Sequence, residues 1–318
     1  FPYTTLFRSK KIVLSFSGGL DTSAIVLWLK QTYNAEVIAY CCDVGNLPSE
    51  QSLRQRAEEL GASDFIFEDL KDTFAKDYVF PLIRSGALYQ NEYLLGTAIA
   101  RPLIAERVAY YARQAKADAI AHGATGKGND QIRFERAWAY LVPDIELIAP
   151  WKIWDYKGRT DLIQYIEAQG FSYKGEVNPR YSVDANLLHN SSEGGILEDL
   201  SKPYDAGEIF QFITPPAQVT HDFTDITLEF EQGMPTKLNG KALSPSQMLI
   251  ELNTIGGRHG IGLVDLVEER VTGVKSRGIY ETPGGTVLYK ALQNLKQMCW
   301  NRNVHSTSTT LSNIYADM

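Results

Sequence analysis

The chain has 318 residues, 44% of them hydrophobic, with 31 basic against 38 acidic side chains and a formal net charge of −7. That length accommodates two domains, each burying its own core, and the acidic balance excludes a broad attraction for nucleic acid, so a small-molecule substrate is expected rather than a tRNA. Adjacent Cys41 and Cys42 with a distant Cys299 exclude a spaced disulfide framework and fit a reducing, cytoplasmic compartment; no apolar run reaches the roughly 20 residues of a membrane span.

Phe1 to Ser9 begins without methionine and carries no clear pattern, so it is read as a leader, disordered or non-native. Next, the apolar run Lys11-Ile12-Val13-Leu14, the stretch Ser15-Phe16-Ser17-Gly18-Gly19-Leu20-Asp21-Thr22-Ser23 and the helix-like run Ala24 to Lys30 spell strand, glycine turn and helix. Two adjacent glycines let the backbone approach a ligand, and the helix start offers unpaired N–H groups and partial positive charge, which suits a phosphate. Hydroxyls on Ser17, Thr22 and Ser23 add donors, and the Asp21 carboxylate can hold Mg²⁺ or cap the helix. The plain alternative is a serine-rich βα turn. The spelling is neither a Walker A loop nor a dinucleotide fingerprint. It resembles the SGGxDS loop of ATP pyrophosphatases, which implies a grip on the pyrophosphate end of ATP and cleavage of the α–β bond.

Glu36 to Tyr40 reads as a parallel-type strand ending at Cys41-Cys42-Asp43, followed by a helix with Leu53, Ala57 and Leu60 inward and a strand at Phe65-Ile66-Phe67. The alternation predicts an α/β fold, a doubly wound, mostly parallel sheet. Ligands gather at the carboxyl ends of such strands, where the glycine turn and Cys42 both fall. Cys42 is either a small wall residue near a base or a reactive thiol. A helix from Thr97 to Ala115, preceded by Tyr93, leads to the strand Ala119-Ile120-Ala121-His122.

That strand empties into a second glycine-rich loop, Gly123-Ala124-Thr125-Gly126-Lys127-Gly128-Asn129-Asp130-Gln131-Ile132-Arg133. Both charge signs at a strand end suit a zwitterion: Arg133 can fork onto a carboxylate and Asp130 can take an ammonium, while Lys127 can neutralise a phosphate. A surface turn with solvated charges is the plain alternative. A strand at Leu147-Ile148-Ala149 and a helix from Arg159 to Gln169 complete a nucleotide-binding domain over residues 10–170; the polar stretch Tyr173 to Pro179 marks the boundary to a second domain over 171–318.

In the second domain Ser182 to Gly195 shows no resolvable period. Ile226 to Glu231 alternates as a half-exposed strand, Asn239-Gly240 marks a tight turn, and Ser244-Pro245 opens a helix. Leu263 to Glu268 is a strand, leading to Lys275 to Glu281 and a stop near Pro283-Gly284-Gly285; the mixture suggests an α+β domain. Ser306 to Thr310 is a short low-complexity run.

With both loops read, the chain resembles the argininosuccinate synthase family from about Lys11 to Leu292. The resemblance rests on Ser15 to Ser23, YLLGTAIAR (Tyr93 to Arg101), HGATGKGNDQIR (His122 to Arg133), Ala149-Pro150-Trp151, Ser182 to Glu193 and KSRGIYE (Lys275 to Glu281). It implies joining of citrulline and aspartate with ATP and Mg²⁺, through citrullyl-AMP, with release of AMP and pyrophosphate. ATP would lie on Ser15, Phe16, Ser17, Gly18, Gly19, Leu20, Asp21, Thr22 and Ser23, beside Cys42 and against Gly123. Aspartate would meet Thr125, Asn129 and Asp130. Citrulline would meet Tyr93, Ala98, Asn129, Arg133, Ser182, Ser191, Glu268 and Tyr280, with Asp21, Asp130 and Arg133 carrying the catalytic charges. No residue is assigned as a resident metal ligand.

Ala98 stands where relatives often carry a hydroxyl, so one citrulline contact is expected to be backbone or missing, and Cys42 stands where alanine is common. The resemblance implies a homotetramer. Asn303 to Met318 departs from the family pattern, and the chain is read as truncated before the usual C-terminal arm. The alternatives are a tRNA-modifying ATP pyrophosphatase and an inactive nucleotide-binding remnant.

Overall fold

The protein is described by a computed structural model covering residues 10–126, 128–172, 181–220 and 223–318; the expected leader, Lys127 and the boundary stretch at 173–179 lie outside the described residues. From the amino end, β1 (Lys11–Ser15), α1 (Leu20–Tyr33), β2 (Glu36–Asp43), α2 (Glu50–Glu59) and β3 (Asp64–Asp69) alternate. A helical stretch follows: α3 (Lys71–Thr73), a π-helical segment over Phe74–Val79, and α4 (Phe80–Ser85). Then come α5 (Gly96–Ala115), β4 (Ala119–Ala121), α6 (Asn129–Leu141), β5 (Glu146–Ile148), α7 (Pro150–Ile153) and α8 (Arg159–Ala168). The remainder holds β6 (Ser182–Ala185), β7 (Asn190–Glu193), α9 (Ala206–Ile209), β8 (Leu228–Glu231), β9 (Met234–Leu238) and β10 (Lys241–Ala242). It closes with α10 (Pro245–Arg258), β11 (Leu263–Glu269), β12 (Lys275–Glu281), α11 (Pro283–Cys299) and α12 (Arg302–Asp317).

Two compact units interleave along the chain. One takes the chain up to Asp43, Leu47–Glu68 and Arg101–Val177; the other takes Val44–Asn46, Asp69–Ala100 and the chain from Asn178 on.

The first unit is built on a five-stranded sheet in the order β3-β2-β1-β4-β5, with β1 parallel to both β2 and β4, and β4 parallel to β5. Strands covered on both faces need apolar side chains throughout, and Ile12, Val13, Leu14, Ala119, Ile120 and Ala121 are all fully buried. The chain runs outward from β1 to β3 and then returns to β4 on the other side of β1, so the switch point lies between β1 and β4. Helix α5 is anchored by Glu68, whose carboxylate accepts a forked pair from Arg107 (2.9 and 2.7 Å) and the phenols of Tyr40 (2.7 Å) and Tyr111 (3.0 Å). Burial alone would raise the Glu68 pKa; these donors outweigh it and bring it down.

The second unit carries a four-stranded antiparallel sheet, β11-β12-β7-β6, and a three-stranded one, β10-β9-β8. Asn239 and Gly240 both hold positive φ (50° and 77°), the turn their pairing predicts, between β9 and β10. Ser244 caps α10 in a reciprocal box with Gln247, and Asp72 accepts from the Ser246 N–H at 2.8 Å. Three expectations change here. The unresolved stretch from Ser182 is the hairpin β6–β7, whose turn is held by Asn186 Oδ1 accepting from the N–H groups of Leu188 (2.9 Å) and His189 (3.2 Å). Pro283-Gly284-Gly285 is not a stop but the first turn of the 17-residue α11, proline supplying a preset φ where no N–H partner is needed. The serine- and threonine-rich run of Ser306 to Thr310 lies inside α12.

Candidate functional site

In the first unit, β1 and β4 are adjacent and parallel, so the two glycine-rich loops leave the sheet at the same edge. The loops touch: a Cβ on Gly123 would stand 2.9 Å from Thr22 Cγ2 and 3.7 Å from Asp21 Cβ, so only glycine allows this approach. Gly18 holds φ +74°, and its carbonyl accepts from Arg56 Nη1 at 2.8 Å, which fixes the turn.

Both helices that follow are uncapped. The N-cap of α1 is Gly19 and that of α6 is Gly128, and neither supplies a side-chain cap. With no side-chain acceptor placed at either helix start, the helix dipole there favours an anion. Asp21 does not cap α1; it sits in the first turn, where burial raises its carboxyl pKa while its own backbone N–H and the Arg159 guanidinium pull the other way. Ser17 Oγ lies 3.2 Å from Thr22 Oγ1, and Ser23 Oγ is buried with no hydrogen-bond partner among the described residues. An orphaned hydroxyl at such a helix start fits an oxygen-rich ligand. Cys42 is buried, and burial pushes its thiol pKa up to about 12, so it stays protonated, as does Cys41.

The second loop is shorter than its sequence suggests, because Asn129, Asp130 and Arg133 already belong to α6. Asp130 is an internal counter-ion here: Oδ2 accepts from Arg101 Nε at 2.8 Å and Oδ1 from Arg133 Nη1 at 2.8 Å. Burial would raise the Asp130 pKa; the two guanidinium groups outweigh it and bring it down. Arg101 was missed as a site residue. It lies in YLLGTAIAR, yet nothing local in the sequence ties it to a carboxylate 29 positions on.

The loop's origin is held by His122. The ring is fully buried, stacks on Phe134 (5.5 Å, 12°) and accepts the Ala124 N–H at Nδ1 (3.1 Å), which leaves its proton on Nε2, 3.9 Å from Glu135 Oε1. Burial lowers its pKa to about 4. Between about 4 and the ordinary 6.5 the unfolded chain takes this proton and the folded one does not. Stability is thus full above about 6.5 and is lost as pH falls towards 4, by up to about 3 kcal/mol. Unfolding measured from pH 7 to 4 should fall more steeply for the parent than for His122→Asn, and parallel curves would exclude this role.

In the second unit, strand register gathers the other candidates. Side chains alternate along a strand and partners directly opposite share a face. Ser191 faces Tyr280 and Asp184, Ser182 faces Glu193, and Glu268 faces Ser276, so Ser182, Ser191, Glu268 and Tyr280 all stand on one face of the four-stranded sheet. Tyr280 donates to Glu268 Oε2 at 3.2 Å and stacks on Tyr93 at 4.1 Å between ring centres. Burial, with Tyr93 and Glu268 nearby, raises the Tyr280 pKa, so the phenol remains a donor. Tyr93 Oη accepts the Thr97 N–H at 3.1 Å, and Thr97 Oγ1 bonds Asp184 Oδ2 and His189 Nε2, each at 3.0 Å. Leu95, next to Gly96, holds φ +56°, a strained conformation for a leucine. Ala98 lies in the opening turn of α5 and brings no polar side chain. Thr97, Asp184 and His189 were not singled out by sequence, since each alone reads as an ordinary polar residue.

A parallel sheet whose switch-point strands both lead to helix starts without a side-chain cap, joined in one chain to an antiparallel sheet with a polar, aromatic face, defines a nucleotide-binding α/β synthetase. The chain belongs to the argininosuccinate synthase family: the profile described as "Arginosuccinate synthase N-terminal HUP domain" matches residues 11–172, and "Arginosuccinate synthase C-terminal domain" matches 181–318. The second match runs to the last residue, so Asn303 to Met318 follows the family after all. Argininosuccinate synthase of Caldanaerobacter subterraneus subsp. tengcongensis is 47% identical over 315 residues, 98% of this chain and 76% of that protein. That of Thermoanaerobacter pseudethanolicus is 46% identical with the same coverage. The chloroplastic enzyme of Arabidopsis thaliana is 46% identical over 312 residues, 98% of this chain and 63% of that one. Among the described residues no helix is long and apolar enough to cross a membrane.

Proposed function

We propose that the protein ligates citrulline to aspartate with cleavage of ATP to AMP and pyrophosphate. The observation that carries this is the pair of glycine-rich loops meeting at the β1–β4 switch point, in a chain of this family. In this reading the Ser15–Ser23 turn holds the triphosphate at the amino end of α1, beside Cys42 and Gly123. Thr125, Asn129 and Asp130 hold aspartate; Tyr93, Asn129, Arg133, Ser182, Ser191, Glu268 and Tyr280 hold citrulline, with only backbone available at Ala98. Mg²⁺ bound with the nucleotide would neutralise phosphate charge, and Asp21 is the carboxylate suited to meet it, a small donor set that fits an ion bound largely through phosphates and water.

The ureido oxygen attacks the α-phosphorus and expels pyrophosphate, giving citrullyl-AMP; the aspartate amine then displaces AMP from the ureido carbon. A ureido group is a poor nucleophile without a readily titrating proton. Orientation and charge neutralisation therefore supply most of the acceleration. Glu268 and Asp130 suit the two ammonium groups, and neutral hydroxyls suit the ureido and carboxylate oxygens. The implied homotetramer and cytoplasmic location belong to the same reading.

Pyrophosphate release measured with ATP and citrulline, with and without aspartate, tests it. Citrulline-dependent release and aspartate-dependent turnover are expected. Release independent of citrulline would favour a tRNA-modifying pyrophosphatase, which the relatives' names do not favour, and no release would mark a remnant.

A further inference from the structure

Helices α11 and α12 and the turn after α4, all in the second unit, line a polar, partly open cavity of about 90 Å³, with His305 and Asn313 at its exposed side. Its wall includes Lys296, which is 5% exposed, together with Gln293, His305 and Asn313. The Lys296 ammonium donates to the Arg84 carbonyl at 2.8 Å and lies over the Trp300 ring at 4.8 Å. Capping the end of α4 uses one of its three N–H bonds. Among the described residues no carboxylate pairs with it, and burial lowers its pKa with no negative charge to offset the effect. A buried charge without a counter-charge is costly and is seldom kept in a packed core. The hydroxyls of Ser312 and Thr309 are already spent on backbone carbonyls. Gln293, Asn313 and His305 keep N–H donors for a guest.

We propose that this cavity binds a small oxyanion, with Lys296 as its counter-charge and Gln293, Asn313 and His305 as further donors. The volume admits several waters or one tetrahedral or planar oxyanion, not a nucleotide. Inorganic phosphate is the probe, used on the full chain with sodium chloride of equal ionic strength as control. At ten times the dissociation constant, phosphate should raise Tm by about 2 °C, as expected for a ligand that binds only the folded chain of this size. Amine acetylation mapped by mass spectrometry should show Lys296 protected several-fold by phosphate and not by chloride. Phosphate at the glycine turn of β1 also raises Tm, so the acetylation reading decides between the sites. Lys296→Met should lose part of the Tm response, and Gln293→Leu, at the rim, should weaken protection if the methionine variant does not fold. Unchanged Lys296 reactivity, equal protection by chloride, or a full Tm response in Lys296→Met would each overturn the proposal.

Discussion

Asp130→Ala is expected to lower argininosuccinate formation by about 10²–10³-fold while sparing the citrulline-dependent release of pyrophosphate. The carboxylate is bonded on one side to Arg101 and on the other to Arg133, and it sits in the first turn of α6 beside Asn129. Removing it leaves two guanidinium groups without their shared partner. In the proposed mechanism that disturbs aspartate most, because this carboxylate receives the aspartate ammonium and sets its nitrogen in line with the ureido carbon. The effect on stability should be small. Side chains of Arg101, Arg133 and Asp130 are 17%, 28% and 29% exposed, so water screens them and the net loss stays near 1 kcal/mol or below. Asp130→Asn keeps an acceptor for one arginine and should fall between parent and alanine. Normal aspartate-dependent turnover in Asp130→Ala would remove this residue from the chemistry.

What could be read from the sequence follows from how each element is buried. β1, β2 and β4 declare themselves because both faces are covered and nearly every position is apolar. The two glycine loops stand out because their residue types serve a ligand more than a fold. The β6–β7 hairpin hid because Asn190, Ser191 and Ser192 are buried polar residues, so hydrophobic alternation is missing from β7, which is nonetheless inside, while β6 is half-exposed and carries only Val183 and Ala185 as apolar positions. Helix α6 hid its start behind the preceding glycines, and α11 hid behind Pro283-Gly284-Gly285, where two glycines lower helix propensity but permit close packing: a Cβ on Gly284 would stand 2.6 Å from Asn253 Oδ1. The common face of Ser182, Ser191, Glu268 and Tyr280 depends on the register of four strands, two local hairpins (β6–β7 and β11–β12) brought together by the non-local pairing of β7 with β12. Register is a tertiary property, set by pairing partners that a single strand's pattern does not name.

Glu281→Ala is expected to destabilise the second unit by about 3–5 kcal/mol, the cost of stripping the acceptor from a buried, hydrogen-bonded charge site. Glu281 ends β12 and is 1% exposed. Its carboxylate accepts from Asn190 Nδ2 at 2.6 Å and from the backbone N–H groups of Gln211 (2.9 Å), Phe212 (2.7 Å) and Ile213 (2.9 Å). Three consecutive N–H groups pointing at one side chain have no strand or helix to pair with, so this carboxylate replaces secondary structure for that segment. Alanine leaves all of them unsatisfied. Glu281→Gln keeps an oxygen but turns an NH₂ towards donors, and should lose about 1–3 kcal/mol. Hydrogen exchange at Gln211 to Ile213 reads the effect directly: protection should collapse in the alanine variant and weaken in the glutamine one, while the amides of β1 and β4 keep theirs. The neighbouring Tyr280 shares the strand and faces the opposite side, so a displaced β12 should also raise KM for citrulline with a smaller change in kcat. Retained protection at all three amides in Glu281→Ala would mean that water or another acceptor takes over the segment, and the large stability loss would not appear.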